Sequence, residues 1–377
     1  MLLAFVTLES MDKIVTFLVM LSVLIVLHEF GHFVVARRNG VRVNEFAVGM
    51  GPKIAGWVSP RSGTKYSLRA LPIGGYCMME GEDGKTSEAE QQREFRESPS
   101  RSSGNFQSKS PWQRLIIVAA GPFANFILAY IILLVGALAF GIPSDRIDRA
   151  VVTVVLHGSP ADKHGLRPGD RIVAVAVAGK SVTDAAALVD TIHGSLGKSI
   201  DVTYDRDGID KTIHVRPEPC PQNHKFGCIG FSPEPAYERV GLLNSIRYSG
   251  LEYENVVDQT VQSLVLLATH FTQYANQVSG PVGMGQVAGI VQDFGWGPYF
   301  VLAATISFAL GVFNLLPVPA LDGGRAAFII AEIVRGKPVD PEKEALVHIA
   351  GFAALMALML LVAFHDITRI VSGQGVF

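Results

Sequence analysis

His28 and His32 stand four residues apart in the run HEFGH, with Glu29 between them. On an α-helix, residues four apart share a face, so both imidazoles can reach one metal ion and Glu29 can reach a water beside it. Zinc suits this pattern: it brings the pKa of a bound water to about 7, and a carboxylate can take the proton as the water attacks a carbonyl. A chance H-E-x-x-H arises in roughly one chain in a hundred, so the motif draws its weight from its location. The apolar run carrying it starts near Ile14, which puts His28 about 20 Å into a hydrocarbon layer roughly 30 Å thick. A His-Glu-His cluster at that depth is costly unless it is paired or coordinated.

Two histidines leave a hydrolytic zinc one protein ligand short, because such sites use three and keep a fourth position open. The candidate for the third is Asp322, in NLLPVPALDGGR from Asn314 to Arg325. Pro317 and Pro319 have no amide hydrogen and must interrupt a helix there. Irregular backbone at membrane depth is tolerated only where protein buries it or it lines a polar cavity. Gly323 and Gly324 let the backbone approach closely before a new helix, AAFIIAEIV, begins. Asp322 either completes a His, His, Asp set or caps that helix.

The elements that must position these groups follow from composition. The 377 residues are 49% hydrophobic and 18% charged, with a mean hydropathy of +0.32, too apolar for an ordinary soluble enzyme. A net charge of -2 leaves no basic footprint for nucleic acid. Four segments are long and apolar enough to span a bilayer: about Ile14 to Ala36, Leu115 to Phe140, Tyr299 to Leu316, and Leu346 to Phe364. The first reads as permanent, since Lys13 follows Glu9 and Asp12 and no small-residue cleavage site follows the run. A shorter apolar patch, Val261 to Ala268, reads as part of an amphipathic helix on the membrane surface.

Arg37, Arg38 and Arg42 follow the first span, Lys109 and Arg114 precede the second, and Arg335, Lys337 and Lys343 lie between the third and fourth. Such clusters mark the cytoplasmic side, so both termini and Gly141 to Gly297 are expected outside. The stretch 150–217 is β-rich, with AVVTVVL, DRIVAVAVAG, KSIDVTY and KTIHV set between turns HGSP, RPGD and DRDG, and a helix-like Asp184 to Ile192. The order of these pieces resembles a bacterial protease-type PDZ domain, whose groove receives a peptide or C-terminus by strand addition; an idle spacer or steric filter is the alternative. Residues 218–297 form an extracytoplasmic linker with surface helices. Cys220 and Cys228 either bridge in an oxidising compartment or stand as free thiols.

On the cytoplasmic side, Glu45 to Met79 has strand-like pieces, EFAVGM, KIAGWV, KYSLRAL and GGYCMM, punctuated by Gly and Pro, and Glu80 to Ser110 is polar and expected to be flexible. The predicted fold is thus a polytopic α-helical membrane protein of about four spans, with a hairpin region (45–110), an inserted PDZ-like domain, and the motifs on spans within 1–44, 111–141 and 298–377.

HEFGH in a first span, SPWQRLIIVAAGPFANF opening a second, SGPVGM before a third and NLLPVPALDGG within it together resemble the site-2 protease family, bacterial regulator of sigma-E protease type, over nearly the whole chain. The resemblance implies His28, His32 and Asp322 as ligands of one zinc ion per chain and Glu29 as catalytic base. Asn314 and the GPFAN residues Gly121, Pro122 and Asn125 match positions lining that family's site. Asn314 is expected to contact substrate, or else to serve as a helix-packing amide. The Glu45 to Met79 region corresponds to a β-hairpin dipping into the membrane. A substrate helix must unwind before hydrolysis, and an edge strand with Gly74, Gly75 and Tyr76 could clamp it; a soluble hairpin is the alternative. Implied substrates are single-pass membrane proteins such as trimmed anti-sigma factors or signal-peptide remnants, cut in the bacterial inner membrane during regulated intramembrane proteolysis. One PDZ-like domain appears where the best-studied pattern has two. An idle adaptor has no need of all four of His28, Glu29, His32 and Asp322, and a transporter predicts broken helices in two halves, where one is evident. The remaining histidines, His157, His164, His193, His214, His224, His270, His348 and His365, show no metal spacing.

Overall fold

The computed structural model describes residues 8–82, 104–144, 149–156, 158–220, 225–234, 237–270 and 280–371. Most of the polar loop expected to be flexible, and His157 and His224, lie outside them. In chain order the elements are α1 (Leu8–Arg38), β1 (Val43–Val58), β2 (Lys65–Met79), α2 (Pro111–Phe140), β3 (Ile142–Pro143), β4 (Arg149–Val155) and α3 (Pro160–Lys163). Next come β5 (Arg171–Val177), β6 (Lys180–Val182), α4 (Ala185–His193), β7 (Ile200–Arg206), β8 (Ile209–Val215), β9 (Glu218–Pro219), β10 (Gly227–Cys228), β11 (Phe231–Glu234) and β12 (Tyr237–Glu238). The chain ends with α5 (Leu242–Thr269), α6 (Pro281–Asp293), α7 (Trp296–Leu315), α8 (Asp322–Arg335) and α9 (Pro341–Val371). Among the described residues, four stretches are long and apolar enough to cross a membrane, Met11–Arg38, Pro111–Phe140, Trp296–Leu315 and Lys343–Arg369, each overlapping a span read from the sequence. Two compact units result: Met1–Leu133 with Ser249–Gly289 and Phe300–Phe377, and Leu134–Tyr248 with Ile290–Tyr299.

In the first unit, α1 stops where Gly40 turns left-handed at φ 71° and the Val41 amide donates back to the Ala36 carbonyl at 2.9 Å, a helix-ending motif that glycine makes easy. Arg37 and Arg38 in its last turn complement the negative end of the helix dipole. The four strand-like pieces all pair within β1 and β2: 45–48 lies between 75–78 and 65–68, and 65–68 pairs in turn with 55–58. Gly49, Gly51 and Gly74 take positive φ near the ends of these paired stretches, where glycine bends the chain without strain.

The base of this hairpin, with Val43, Phe46, Cys77 and Met79, packs against Ala36 of α1, Ile117 and Val118 of α2, and Ile329 of α8. Its far part leaves Met50, Ile54, Trp57, Leu68 and Leu71 exposed, apolar side chains of the kind that lipid or a protein partner covers. Near the base, burial alone would raise the Glu45 carboxyl. Hydrogen bonds from Ser67 (2.6 Å), Arg69 (3.0 Å) and Lys65 (3.4 Å) outweigh burial and hold it at about 2, so the hairpin carries an ionised cluster at any physiological pH.

The patch at Val261 to Ala268 closes a much longer helix, α5. Its earlier turns bury Val256 with Ala129 and Leu133 of α2 and Ala304 and Phe308 of α7, because Tyr253, Val256, Val257 and Thr260 continue the helical spacing toward the N-terminus. Between α7 and α8 the backbone turns through 316–321. A Cβ on Gly323 would meet the Leu316 carbonyl at 2.2 Å, and one on Gly324 the Val318 carbonyl at 2.4 Å. Only glycine lets the first turn of α8 fold back against the end of α7.

The second unit holds an antiparallel sheet in the order β11-β4-β5-β7-β8, with β6 on β5. Its core joins Val152, Val175, Val202 and Ile229 to Leu188 and Ile192 of α4. In the GLRPGD turn, Asp170 accepts the Arg167 amide at 2.7 Å and two bonds from Arg206 at 2.6 Å. The sheet reaches past residue 217, where the sequence reading ended the domain. β11 adds an edge strand, tied back by a Cys220–Cys228 disulfide, which resolves the thiol alternatives in favour of the bridge.

Candidate metal centre

Helix α1 turns His28 and His32 inward, each only 6% exposed. His28 Nε2 lies 3.0 Å and His32 Nε2 3.3 Å from Asp322 Oδ2, and the two Nε2 atoms are 3.2 Å apart. Asp322 opens α8, but the N-cap position is Leu321 and no side chain caps the helix. Its carboxylate is turned to the imidazoles, so the capping alternative is not realised.

The hydrogen bonds behind the rings show which nitrogens face inward as lone pairs. His32 Nδ1 donates to the Ile117 carbonyl at 2.9 Å, leaving Nε2 free to bind. The Asn125 amide lies 3.3 Å from His28 Nδ1, and Asn125 Oδ1, buried, has no other partner. With Nε2 of His28 given to a metal, Nδ1 carries a hydrogen, and the orphaned Oδ1 is its natural acceptor once the amide is turned. Three donor atoms within 4.8 Å of one another, two of them imidazole lone pairs, suit a zinc ion better than they suit each other.

Two glycines open the space. A Cβ on Gly31, inside HEFGH, would meet the Ala120 carbonyl at 2.5 Å, so α1 and α2 touch there backbone to backbone. A Cβ on Gly121 would sit 2.2 Å from His32 Nε2 and 2.7 Å from His28 Nε2. The cradle is empty because residue 121 has no side chain.

Glu29 projects beside this cluster, and its Oε2 accepts the Cys77 backbone amide of β2 at 3.0 Å. The hairpin thus holds the candidate base in place, a role that sequence reading missed because a backbone amide leaves no signature. Burial pushes the Cys77 thiol well above its ordinary range, so it is neither thiolate ligand nor nucleophile. Two ion pairs brace α8, Arg114 with Glu332 at 2.6 Å and Arg325 with Glu82 at the end of the hairpin. Neither was read from the sequence, whose positions give no hint that 82 and 325 meet.

The residues expected to touch substrate sit in differing surroundings. Asn125 is fully buried behind His28, where it can orient the ring but has no open path to a substrate. Asn314 donates back to the Leu310 carbonyl at 2.9 Å, the helix-packing alternative. Gly74 is buried at φ 76° with Ile25 packed beside it, and a Cβ on Gly75 would meet the Ala47 carbonyl of β1 at 2.6 Å. The Tyr76 hydroxyl accepts from Arg69, whose guanidinium lies over the Tyr76 ring at 5.0 Å. This binds Tyr76 into the Glu45 cluster. Of the other histidines, His193 comes within ligand range of Cys220 and Cys228, but those sulfurs are bonded to each other.

Two imidazoles and a carboxylate facing one point, with a carboxylate base beside them and helices able to span a bilayer around them, define a membrane-embedded zinc hydrolase. Residues 16–358 match peptidase family M50. Zinc metalloprotease RasP of Bacillus licheniformis is 32% identical, over 96% of this chain and 100% of that protein. Regulator of sigma-W protease RasP of Bacillus subtilis is 31% identical over 95% and 99%, and a putative zinc metalloprotease of Clostridium acetobutylicum is 34% identical over 95% and 98%. The chain belongs to peptidase family M50. It is a multi-pass inner-membrane zinc metalloprotease.

Proposed function

We propose that this protease hydrolyses a peptide bond within the transmembrane segment of single-pass membrane proteins, as a step in regulated intramembrane proteolysis. The observation that carries this reading is that His28, Glu29 and His32 lie on a helix apolar enough to span a membrane, and that Asp322, which follows the break after a second such helix, meets the two imidazoles beside an apolar hairpin. His28, His32 and Asp322 would hold zinc, which when bound would supply Lewis-acid activation of a carbonyl and of a water. Glu29, oriented by the Cys77 amide, is placed to accept a proton from the attacking water and to give it to the leaving nitrogen. Asn125 and the Ile117 carbonyl keep both imidazoles in the binding tautomer.

A substrate helix hides its carbonyls in its own hydrogen bonds and must be extended before attack. The hairpin, with its exposed apolar side chains, offers an unwound segment a strand to lie against. The name of the Bacillus subtilis relative points to sigma-factor regulation, so an anti-sigma-factor-like substrate, or a signal-peptide remnant, fits here. On the charge pattern, both termini and the sheet domain are extracytoplasmic. That domain reads as PDZ-like: a groove of about 820 Å³, lined by Ile192 and His193 of α4 and Gly230 and Phe231 at the β11 edge, suits a peptide added as a strand.

The test is cleavage of a single-pass substrate in liposomes containing the purified protein, with products measured by mass spectrometry. New termini inside the apolar segment are expected. Cuts confined to the soluble flanks, with the span left whole, would refute the intramembrane reading.

A further inference from the structure

The turn that delivers Asp322 contains a non-glycine residue in left-handed backbone: Ala320, at φ 75°. An alanine held there needs outside support. Two other hydrogen bonds of the turn, Val318 to the Leu316 carbonyl at 2.7 Å and Leu321 to the Val318 carbonyl at 3.2 Å, are internal to it. The Ala320 amide reaches out instead and donates to His348 Nδ1 on α9 at 2.9 Å.

One helical turn further along, Gly351 brings the α9 backbone against the same turn, where a Cβ would meet Pro319 Cβ at 2.3 Å and the Pro319 carbonyl oxygen at 3.0 Å. His348 and Gly351 therefore grip consecutive residues, 320 and 319, just before the metal ligand. To accept at Nδ1 the ring must be neutral with its hydrogen on Nε2. Nε2 is buried without a hydrogen-bond partner, with Glu344 Oε1 4.0 Å away and one turn earlier on α9. The bond from Ala320 is therefore the contact that sets the tautomer of this ring.

We propose that His348 is a positioning residue which, by accepting the Ala320 amide, fixes the left-handed turn that aims Asp322 at His28 and His32 and so sets how firmly zinc is held. A helix outside the ligand-bearing ones thereby tunes the metal centre through one backbone hydrogen bond. The inference rests on the zinc site but not on where substrates are cut. Its readouts are of the metal and the turn, so failure of the intramembrane reading would leave them unchanged.

The experiment compares full-length wild type with His348→Leu, which keeps bulk and loses the acceptor, and His348→Asn, whose Oδ1 occupies the place of Nδ1. Zinc release to a chelator should be about 10- to 100-fold faster in the leucine variant, with an altered visible spectrum of the cobalt-substituted protein. The asparagine variant should recover both, and Leu360→Ala, an exposed change on the same helix, should alter neither. Wild-type zinc release and cobalt spectrum in His348→Leu would overturn the proposal, as would equal impairment of the leucine and asparagine variants, which is what simple packing loss produces. If the leucine variant does not fold, hydrogen exchange of the zinc-loaded wild type decides. The Ala320 amide should exchange as a bonded amide, and exchange at the rate of an open one overturns the assignment.

Discussion

Glu29→Gln should lower the rate of peptide hydrolysis by about 10³-fold, within the range that a positioned general base contributes, while the purified variant still carries one zinc per chain. The reasoning lies in what the substitution leaves alone. Glutamine has the same length, and its amide oxygen can still accept the Cys77 N–H that now holds Glu29 Oε2 at 3.0 Å. The side chain stays where it is but can no longer take a proton. His28, His32 and Asp322 are untouched, so the metal is retained. Paired measurement of cleavage rate and metal content separates this from a folding defect. An active variant would mean that another group serves as base, and a variant without metal would mean that Glu29 belongs to the binding set.

Gly121→Ala should remove zinc and activity together, although residue 121 donates nothing to the metal. The added methyl would lie 2.2 Å from His32 Nε2 and 2.7 Å from His28 Nε2, on the side from which both must bind. Its neighbour Pro122 is already a fixed point inside α2, and the α1 and α2 backbones already touch at Gly31, so the helix has little room to retreat. Zinc affinity should fall more than about 100-fold, beyond the usual cost of disturbing groups behind the ligands. Thermal unfolding of the metal-free variant should begin lower than that of the wild type, because the same methyl presses on two buried imidazoles, so zinc affinity is compared on folded protein of both. Full zinc occupancy in Gly121→Ala would show that the ion binds elsewhere.

How legible these features were in the sequence depended on whether their physics is local. Spans are runs of one-sided chemistry, so the four membrane helices were visible, and HEFGH declares itself because helical spacing alone puts His28 and His32 on one face. Asp322 was reachable through the prolines before it and the glycines after it, which mark broken backbone at depth. The four pieces of the hairpin region were legible too, because Gly49, Gly51 and Gly74 mark where one paired stretch ends, whereas the order in which the pieces pair is set by long-range contact and was not. The edge strand β11 escaped notice for a similar reason. It is four residues long and belongs to the sheet only through its pairing with β4. Asn125, expected to line the site toward substrate, is buried behind His28, and whether an amide faces substrate or ligand is decided by a neighbouring helix. Contacts such as Cys77 with Glu29, Arg325 with Glu82 and Ala320 with His348 join positions tens or hundreds of residues apart, and one sequence carries no trace of them.

The most direct test is zinc K-edge X-ray absorption, with metal content, on the purified wild type and on Asp322→Ala. One zinc per chain with two imidazole nitrogens and a carboxylate oxygen is expected in the wild type, and loss of the metal in the variant. An Asp322→Ala protein that keeps a full zinc with an unchanged ligand shell would contradict the convergence of His28, His32 and Asp322 on which the whole account depends.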